Sequence, residues 1–487
     1  MQDSERINLT SPANERSSGA YWTPERVAVV SRNVLLITIG GIIAGLFAVN
    51  AQLYYVALVI GGAVLALLVA WQYEAVLTVY ILVAFVPWGQ TPGIAVGGSG
   101  MSKGIFVSEA MLGFMIVVWA GKYLLRSLPV PRPPTGFYKA AGLYLAYCVI
   151  NVVNSFIFWD ASVDRIYQKP AVNAIDLGMR FLSVGALLLM ATTIRNKVWL
   201  RRVTIGLFLA ATYNTLNAMT GQFIPFQAPW WPFFTMLPAC YCCLLALDNN
   251  LPTNKRVLAG AFVAACVFVV AWLNIGWVSG WLALLTSLAV VLVIKNRKLF
   301  VIAAVALGIF VIAAWPVLQV KVIKESKEGG DYDRFSLMAG AVKYATTFPL
   351  GVGLGNYRTY NTYHYGEKWG TKSYTSAHGT YSQALSETGF PGLIMFGAML
   401  LGGFAWLVRG YHSLPEGYSK TFLLVAIGQM AGIGAAALVG DYIIPSYHNG
   451  GLGTFSTTVY SWLIWGLAIA HVRISGKQTD GSVGIDS

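Results

Sequence analysis

The sequence predicts an all-α membrane protein that crosses the bilayer about fourteen times. Of its 487 residues, 56% are hydrophobic and 11% are charged, whereas soluble proteins carry about 25% charged residues. The hydrophobic residues fall into runs long enough to cross about 30 Å of hydrocarbon. The net charge of +13 does not indicate nucleic-acid binding, because Lys and Arg lie in short clusters between the runs.

The hydrophobic runs divide the chain into five parts. The polar stretch 1–30 has no apolar core, so we expect a mostly disordered cytoplasmic tail and no cleavable signal peptide. A transmembrane bundle of about eleven spans follows over 31–319, and about three further spans lie in 390–474. They are separated by the loop 320–389, and a second cytoplasmic tail covers 475–487. The predicted spans are 33–50, 53–70, 74–88, 105–121, 137–158, 174–193, 202–219, 232–247, 257–274, 277–294, 299–318, 390–408, 421–440 and 457–472.

Basic clusters orient these spans. Arg201 with Arg202 and Lys255 with Arg256, like the other clusters, fall on alternate loops. The positive-inside rule then places both termini in the cytoplasm and the loop 320–389 outside.

The cysteines predict packing and not metal binding. All lie in apolar spans, and no His or acidic residue accompanies the group at 240–243. They are Cys148, Cys240, Cys242, Cys243 and Cys266.

The loop is the long polar segment between spans, and such segments tend to carry function. Asp333 is a predicted helix N-cap, and Phe335, Met338, Val342 and Ala345 recur at spacings of three and four, which predicts one apolar face. Pro349 should end this first helix.

A second helix is predicted to begin at Thr375 or Ser376 and to stop at Gly389, with Pro391 opening the next span. His378 would lie in its first turn. Tyr381 and Ser382, three and four residues later, would share a face with His378.

Three features of the loop form a pattern. Arg334 at a helix start precedes Pro-x-Gly-x-Gly-x-Gly-Asn-Tyr at 349–357, and His378 is followed at the ligase-motif spacing by Gly389 and Gly392. The loop also lies between a late pair of spans. Together these features resemble the O-antigen ligase and O-antigen polymerase family of bacterial membrane glycosyltransferases.

The chain departs from the family pattern at two places. Gly379 follows the histidine where the ligase pattern has Asn, Ser or Gln, and the stretch 274–280 has no arginine where the family often carries a Ser-Arg pair. Arg180, inside the span 174–193, and Arg165, in the loop before it, are candidates to supply the missing charge.

The resemblance implies a GT-C-type glycosyltransferase of the bacterial cytoplasmic (inner) membrane. Its donor would be a glycan on polyprenyl (undecaprenyl) pyrophosphate, and its acceptor either the lipid A core or another lipid-linked saccharide. The family works without cofactors, nucleotide sugars or an obligatory metal. Membrane lipids, chain-length regulators and flippases are the other partners to expect, and nucleic acid is not.

The residue chemistry agrees with this. Outside the cell no ATP or nucleotide sugar is present, so a lipid pyrophosphate is the expected leaving group. Guanidinium groups bind phosphate bidentately, and a histidine with a pKa of about 6.5 can align the acceptor hydroxyl and take its proton. In-line displacement would invert the linkage. We therefore predict donor pyrophosphate binding by Arg334, Arg180 and Arg165, base catalysis by His378, and orientation by Tyr381 and Ser382.

Each assignment has a structural alternative. His378 could be an ordinary loop histidine, Arg334 a solvated charge, and Arg180 could pair with Asp176 at i−4. The run GVGLGNY at 351–357 lacks the Gly-Lys-Ser/Thr ending of a phosphate loop, so it predicts a structural turn.

Flanking polar residues could line an acceptor path. These are Arg358, His364, and the segment 441–456 with Asp441 and His448.

Three functions compete. A polymerase is favoured because the predicted spans exceed the number usual for ligases and because of Gly379. An O-antigen ligase is the alternative within the family. A transporter or flippase would favour inverted repeats and charges in mid-span, neither of which is prominent here.

Overall fold

A computed structural model of the chain describes residues 73–85, 94–95, 104–105, 107–124, 135–220, 232–274, 277–327, 334–368, 376–444, 446–448 and 455–476. The predicted spans 33–50 and 53–70 and both predicted tails lie outside these residues, apart from 475–476. The described residues are mostly helical. Two short strands, Ile94–Ala95 and Gly104–Ile105, pair in antiparallel fashion.

The helices follow one another with short connections. They are α1 (Tyr73–Phe85), α2 (Val107–Leu124), α3 (Thr135–Ile157), α4 (Pro170–Thr193), α5 (Lys197–Met219), α6 (Pro232–Ala246), α7 (Thr253–Val267, continued by a π turn, Phe268–Leu273), α8 (Val278–Lys295), α9 (Arg297–Lys327), α10 (Arg334–Thr347), α11 (Tyr357–Tyr360, continued by a π turn, Asn361–Tyr365, and by Gly366–Lys368), α12 (Thr380–Ser413), α13 (Tyr418–Ala436) and α14 (Phe455–Gly476).

Six described helices are long and apolar enough to cross a membrane, which supports a multi-pass membrane protein. They are Gly136–Ile157, Pro170–Thr193, Thr253–Leu273, Val278–Lys295, Thr380–Ser413 and Tyr418–Ala436. Each predicted span from 74–88 onward overlaps a helix. The predicted total of spans stays a prediction.

Small residues allow the most extensive helix pairs to approach closely, as is typical of membrane bundles. At Gly432 of α13, an added Cβ would lie 2.0 Å from the hydroxyl of Ser287 on α8. At Gly466 of α14, it would lie 2.4 Å from the carbonyl oxygen of Leu187 on α4. These contacts assemble the helices around the buried core of α4, α13 and α14.

The first predicted loop helix is α10, which ends at Thr347 before Pro349 as expected. The apolar face predicted for it is right only in part: Ala345 is buried and Met338 half-buried, but Val342 is 52% exposed. The buried face also includes Leu337, Ala341 and Tyr344. Asp333 and the side chain of Phe335 lie outside the described residues.

Packing against aromatic residues of α11 determines which face of α10 is buried. The ring of Tyr344 packs edge-on against Tyr357 and Tyr365, with centroid distances of 5.2 and 5.6 Å. Trp159 and Tyr360 complete this aromatic core. The sequence reading missed α11, although its tyrosines at 357, 360 and 365 face this core.

The second predicted loop helix is the first half of α12. It begins at Thr380, later than predicted, with Gly379 as its N-cap. It breaks at Gly389, as predicted, and the chain continues through Pro391 into the next span.

Candidate active site

The break in α12 is closed by the glycine-rich segment. Gly389 has φ +67° and ψ −170°, a left-handed backbone that favours glycine. The carbonyls that lose their helical partners are bonded from outside: the Val352 amide donates to Ser386 O at 3.1 Å, and the Gly353 amide donates to Glu387 O at 2.9 Å. The segment 349–355 is therefore a structural turn that caps a buried helix end, as predicted.

Asn151 of α3 fixes this turn. Its side-chain amide donates to Leu350 O at 3.0 Å and to Glu387 O at 3.2 Å, and its Oδ1 accepts from the Leu354 amide at 3.0 Å. Because Asn151 is 2% exposed, each of these bonds forms away from bulk water. One buried side chain thus links α3, the turn and α12.

Arg180 of α4 lies beside the capped helix end. Its Nη2 is 3.7 Å from Glu387 Oε2, its Nη1 donates to Asp176 O at 2.8 Å, and its Nε donates to Tyr144 OH at 3.3 Å. All of these residues are buried. Arg180 therefore bonds to the Asp176 backbone at i−4 and forms an ion pair with Glu387, and the Asp176 carboxylate adds to the negative charge around it.

Asp176 extends this buried charge cluster towards the segment after α13. Its Oδ1 accepts from the Tyr447 amide at 3.0 Å, and its Oδ2 has no hydrogen-bond partner among the described residues. Two carboxyl groups thus face one guanidinium in a buried space, so the position of Arg180 is strongly constrained.

A small cavity of about 10 Å³, the room that one water needs, connects Arg180 to the start of α12. Its polar lining comes from Tyr144, Arg180, Thr380 and Gln383. Thr380 follows His378 by two residues, and the cavity lining includes Arg180 but not His378.

His378 precedes α12 and does not lie in its first turn. Its φ of +47° makes it the one non-glycine residue with a positive φ in the described part of the chain. Such a backbone is uncommon for a side chain with a Cβ and points to a functional constraint. The histidine itself is half-buried.

Asp441 holds the backbone on both sides of His378. Its Oδ1 accepts from the Gly379 amide at 3.0 Å, and its Oδ2 accepts from the Ser376 hydroxyl at 2.8 Å. The Thr380 amide donates to Ala437 O at 3.0 Å. The first amides of α12 are therefore bonded to the segment after α13.

Gly379 is explained by this close approach. An added Cβ would lie 3.0 Å from Leu438 O and 3.3 Å from Ser382 Oγ. The larger residues of the ligase pattern would require the segment around Leu438 to move.

Part of the chain resembles a known family: residues 253–397 match a family model described as O-antigen ligase. The match confirms the resemblance and indicates a membrane protein that processes glycans in the manner of O-antigen ligases and polymerases. A comparison with curated proteins gave no match.

The O-antigen ligase segment supplies only part of the candidate site. It contains Glu387, His378 and the glycine-rich turn. Asn151, Arg180 and Asp441 lie outside the match, yet they contact it directly. The site is therefore completed by α3, α4 and the segment after α13.

The other two predicted arginines lie on different elements from Arg180. Arg334 begins α10, and its side chain is outside the described residues. Arg165 is exposed on a 3₁₀ turn, Arg165–Tyr167. Neither contributes a described contact to the buried charge cluster.

Tyr381 and Ser382 do not share a helical face with His378, because His378 is not helical. The Tyr381 hydroxyl donates to Gly434 O at 3.1 Å, which ties α12 to α13. An orienting role for either residue stays a prediction.

Among the suggested acceptor-path residues, His448 and Arg358 meet. His448 Nδ1 lies 3.5 Å from Arg358 Nη1, and its Nε2 lies 3.1 Å from Gly355 O. They adjoin the Gly-rich turn and not the His378 segment.

The sequence reading missed Glu387 and Asn151. Glu387 had a signal, because it is the one acidic residue between Glu367 and Glu416 and lies just before the helix break. Asn151 had none beyond being polar in an apolar span.

Groups of three His, Cys, Asp or Glu side chains that could hold a metal ion do not occur among the described residues. The cysteines are free, and Cys148, Cys240, Cys243 and Cys266 are buried.

Proposed function

We propose that the protein transfers a glycan from a polyprenyl (undecaprenyl) pyrophosphate donor to a saccharide acceptor at the outer face of the cytoplasmic membrane. The observation that carries the proposal is His378. It is a half-buried imidazole in a left-handed backbone, and the amide of the next residue, Gly379, donates to Asp441. A strained and tightly held histidine suits a base that must meet its substrate in one geometry.

The proposed reaction is an in-line displacement at the anomeric carbon. The acceptor oxygen forms a bond to that carbon while the bond to the pyrophosphate oxygen breaks, which inverts the linkage. His378 takes the acceptor proton, and the negative charge leaves on the lipid pyrophosphate. Protein cations stabilise this charge, and no metal enters the scheme.

Arg334 is the leading donor ligand in this proposal. A guanidinium at the start of α10 can bind phosphate bidentately. Arg180 would bind the donor only if a phosphate group replaced Glu387 as its ion-pair partner. Without that exchange, Arg180 positions α12. Arg165, being exposed, would act at the rim.

Within this chemistry we favour a polysaccharide polymerase, because Gly379 departs from the ligase pattern. The O-antigen ligase, which transfers glycan to lipid A core, is the second candidate, since it is the description of the matching family. A flippase is the rival of another class.

Reconstitution separates the three. Proteoliposomes receive a defined lipid-linked repeat, with or without lipid A core. Growth of lipid-linked chains supports the polymerase, transfer to the core supports the ligase, and movement of the donor across the bilayer without any new bond would overturn the enzyme proposal.

Arg334→Lys tests the donor site in the same assay. Lysine keeps the charge but loses the planar fork, so activity should fall strongly at normal expression. Normal turnover in both Arg334→Lys and Arg334→Ala would leave Arg334 a structural role.

The orientation of the protein in the membrane is tested in a separate experiment. A cysteine placed at Glu367 should react with an impermeant maleimide outside intact cells, whereas one at Lys197 should not. The reverse result would overturn the outward placement of the site.

A further inference from the structure

Two tyrosines form an exposed stacked pair away from His378. The rings of Tyr167 and Tyr363 lie 3.6 Å apart between centroids with an interplanar angle of 9°. Tyr363 is 45% exposed. Tyrosine is enriched at binding interfaces and membrane interfaces, where one end of the side chain is apolar and the other is wet.

The two tyrosines lie in short turns that are not α-helical. Tyr167 ends the 3₁₀ turn Arg165–Tyr167, which Asp164 caps by accepting from the Ile166 amide at 3.1 Å. Tyr363 lies within the π turn Asn361–Tyr365. Single π turns are rare and occur frequently at functional sites.

Asp160 locks the two segments together. Its Oδ2 accepts from the Tyr365 hydroxyl at 2.6 Å, and its backbone amide donates to Tyr360 OH at 3.1 Å. Partial burial alone would raise the pKa of Asp160, but hydrogen bonds from Tyr365 and Ser162 outweigh burial and hold that pKa below its usual value. The ionised carboxylate therefore keeps the stacked pair preorganised.

The residues near Tyr167 in the sequence are typical of a solvent-exposed surface. Arg165 and Lys169 flank Tyr167 in sequence and are exposed, as are Ser162 and Asp164. Lipid-facing surface would not collect such charges. The occupant is therefore more polar than an acyl chain.

We propose that Tyr167 and Tyr363 form a stacking platform for the saccharide chain that the protein handles. A pyranose ring presents a face of C–H bonds that packs on an aromatic face, while its hydroxyls at the rim can bond to charged neighbours such as Arg165 and Lys169. A tyrosine supplies both the apolar face and a polar edge. This inference rests on the proposed function for the identity of the ligand.

The platform would serve chain binding and not bond formation. Its loss should weaken saccharide binding and raise KM, with little change in kcat at saturation. Loss of one aromatic contact corresponds to about a three- to tenfold change in affinity.

Two measurements test this on the full-length protein in detergent. The first is calorimetric binding of oligosaccharides released by mild acid from the surface polysaccharide of the source bacterium. The second is KM and kcat in the transfer assay. Tyr363→Ala and Tyr167→Ala should raise both Kd and KM about three- to tenfold. Tyr363→Trp should return both constants to their wild-type values.

Matched variants make the result interpretable. Tyr363→Leu keeps an apolar side chain without a ring face, so it reports on stacking if Tyr363→Ala does not accumulate. Tyr418→Ala removes a tyrosine of similar exposure, 42%, and should change neither constant.

The outcomes separate this inference from the proposed function. Saccharide binding that weakens in Tyr363→Ala, in a protein that makes no new bond, would support the platform and refute the transferase. Transfer with unchanged Kd and KM in Tyr363→Ala and Tyr363→Leu would refute the platform and leave the transferase. A wild-type protein that binds no saccharide would also refute the platform.

Discussion

The two ends of the first half of α12 are held in different ways. At the end before Gly389, Asn151, Arg180 and the Gly-rich turn enclose Glu387, which is fully buried. At the start, Asp441 accepts hydrogen bonds from the Gly379 amide and the Ser376 hydroxyl, and His378 between them is half-buried. One end is thus fully buried, and the other carries a half-buried histidine.

This difference teaches how a membrane protein can position a reactive group. Side chains in a buried network cannot also serve a substrate without breaking that network. At His378, the bonds to Asp441 come from the neighbouring residues Gly379 and Ser376.

Loss of the His378 imidazole should give the largest effect. His378→Asn is the better test than His378→Ala, because asparagine tolerates the left-handed backbone at φ +47°. Both variants should reduce glycan transfer by about a hundred- to ten-thousand-fold, the contribution of a positioned base. Rates of transfer by purified protein check this.

His364→Ala and His448→Ala serve as controls for the loss of His378 and should cost much less activity. If His378→Asn kept more than about a tenth of the activity, the base assignment would fail. Positioning by the cations would then have to account for the rate.

Loss of the Arg180 charge should destabilise the protein at the buried end of the first half of α12. Arg180→Met leaves Glu387 and Asp176 without a cation, which costs about 3–5 kcal/mol of unfolding free energy for a buried pair. Adding Glu387→Met should recover part of the loss, because it removes one uncompensated carboxylate. Denaturation in detergent measures both.

A double variant no more stable than Arg180→Met would show that Glu387 is not the charge partner of Arg180. Activity is informative too. If Arg180→Met/Glu387→Met refolds but does not transfer glycan, Arg180 has a role beyond holding α12.

Asp441→Asn should loosen the exposed end. An amide group can accept only one of the hydrogen bonds now made by Gly379 and Ser376. The His378 backbone should shift, and a displacement of this kind should cost about tenfold in transfer with a smaller loss of stability. Asp164→Asn, an exposed acceptor of a backbone amide, is the matched control.

A transfer rate that falls no more in Asp441→Asn than in Asp164→Asn would contradict a positioning role. The thermal midpoint separates the alternatives, because a purely structural role would lower stability and activity together.

Local signals explain what the sequence could predict. Gly389 and Pro391 marked the helix break, and Pro349 marked the end of α10, because these residues act on their own backbone. His378 was placed in a helix because nothing local shows that Asp441 and Ala437 bond the first amides from outside.

Long-range contacts explain the rest. Arg180 and Glu387 lie on different helices, so their pairing cannot be predicted from the local sequence pattern of either helix. The exposed Val342 matched an apolar spacing, but the aromatic rings of α11 determined which face of α10 is buried.

The smallest predicted effect lies at the aromatic core, where the Tyr365 hydroxyl donates a part-buried hydrogen bond to Asp160. Burial, followed by the hydrogen bond and charge of Asp160, raises the pKa of Tyr365 to about 12. Tyr365→Phe removes the donor to Asp160 and should cost about 1 kcal/mol. The thermal midpoint of the variant against wild type checks this value.

The stability difference between wild type and Tyr365→Phe should depend on pH. The folded-state pKa of Asp160 lies below its ordinary value of 3.8, so its contribution is present above pH 3.8 and is lost as pH falls through the lower folded value. The gap between wild type and Tyr365→Phe should therefore close in acid. A gap that persisted below that range would mean that the Tyr365 hydroxyl stabilises the protein without an ionised Asp160, because phenylalanine keeps the ring packing of Tyr365. The Asp160 carboxylate would then not be what preorganises the stacked pair.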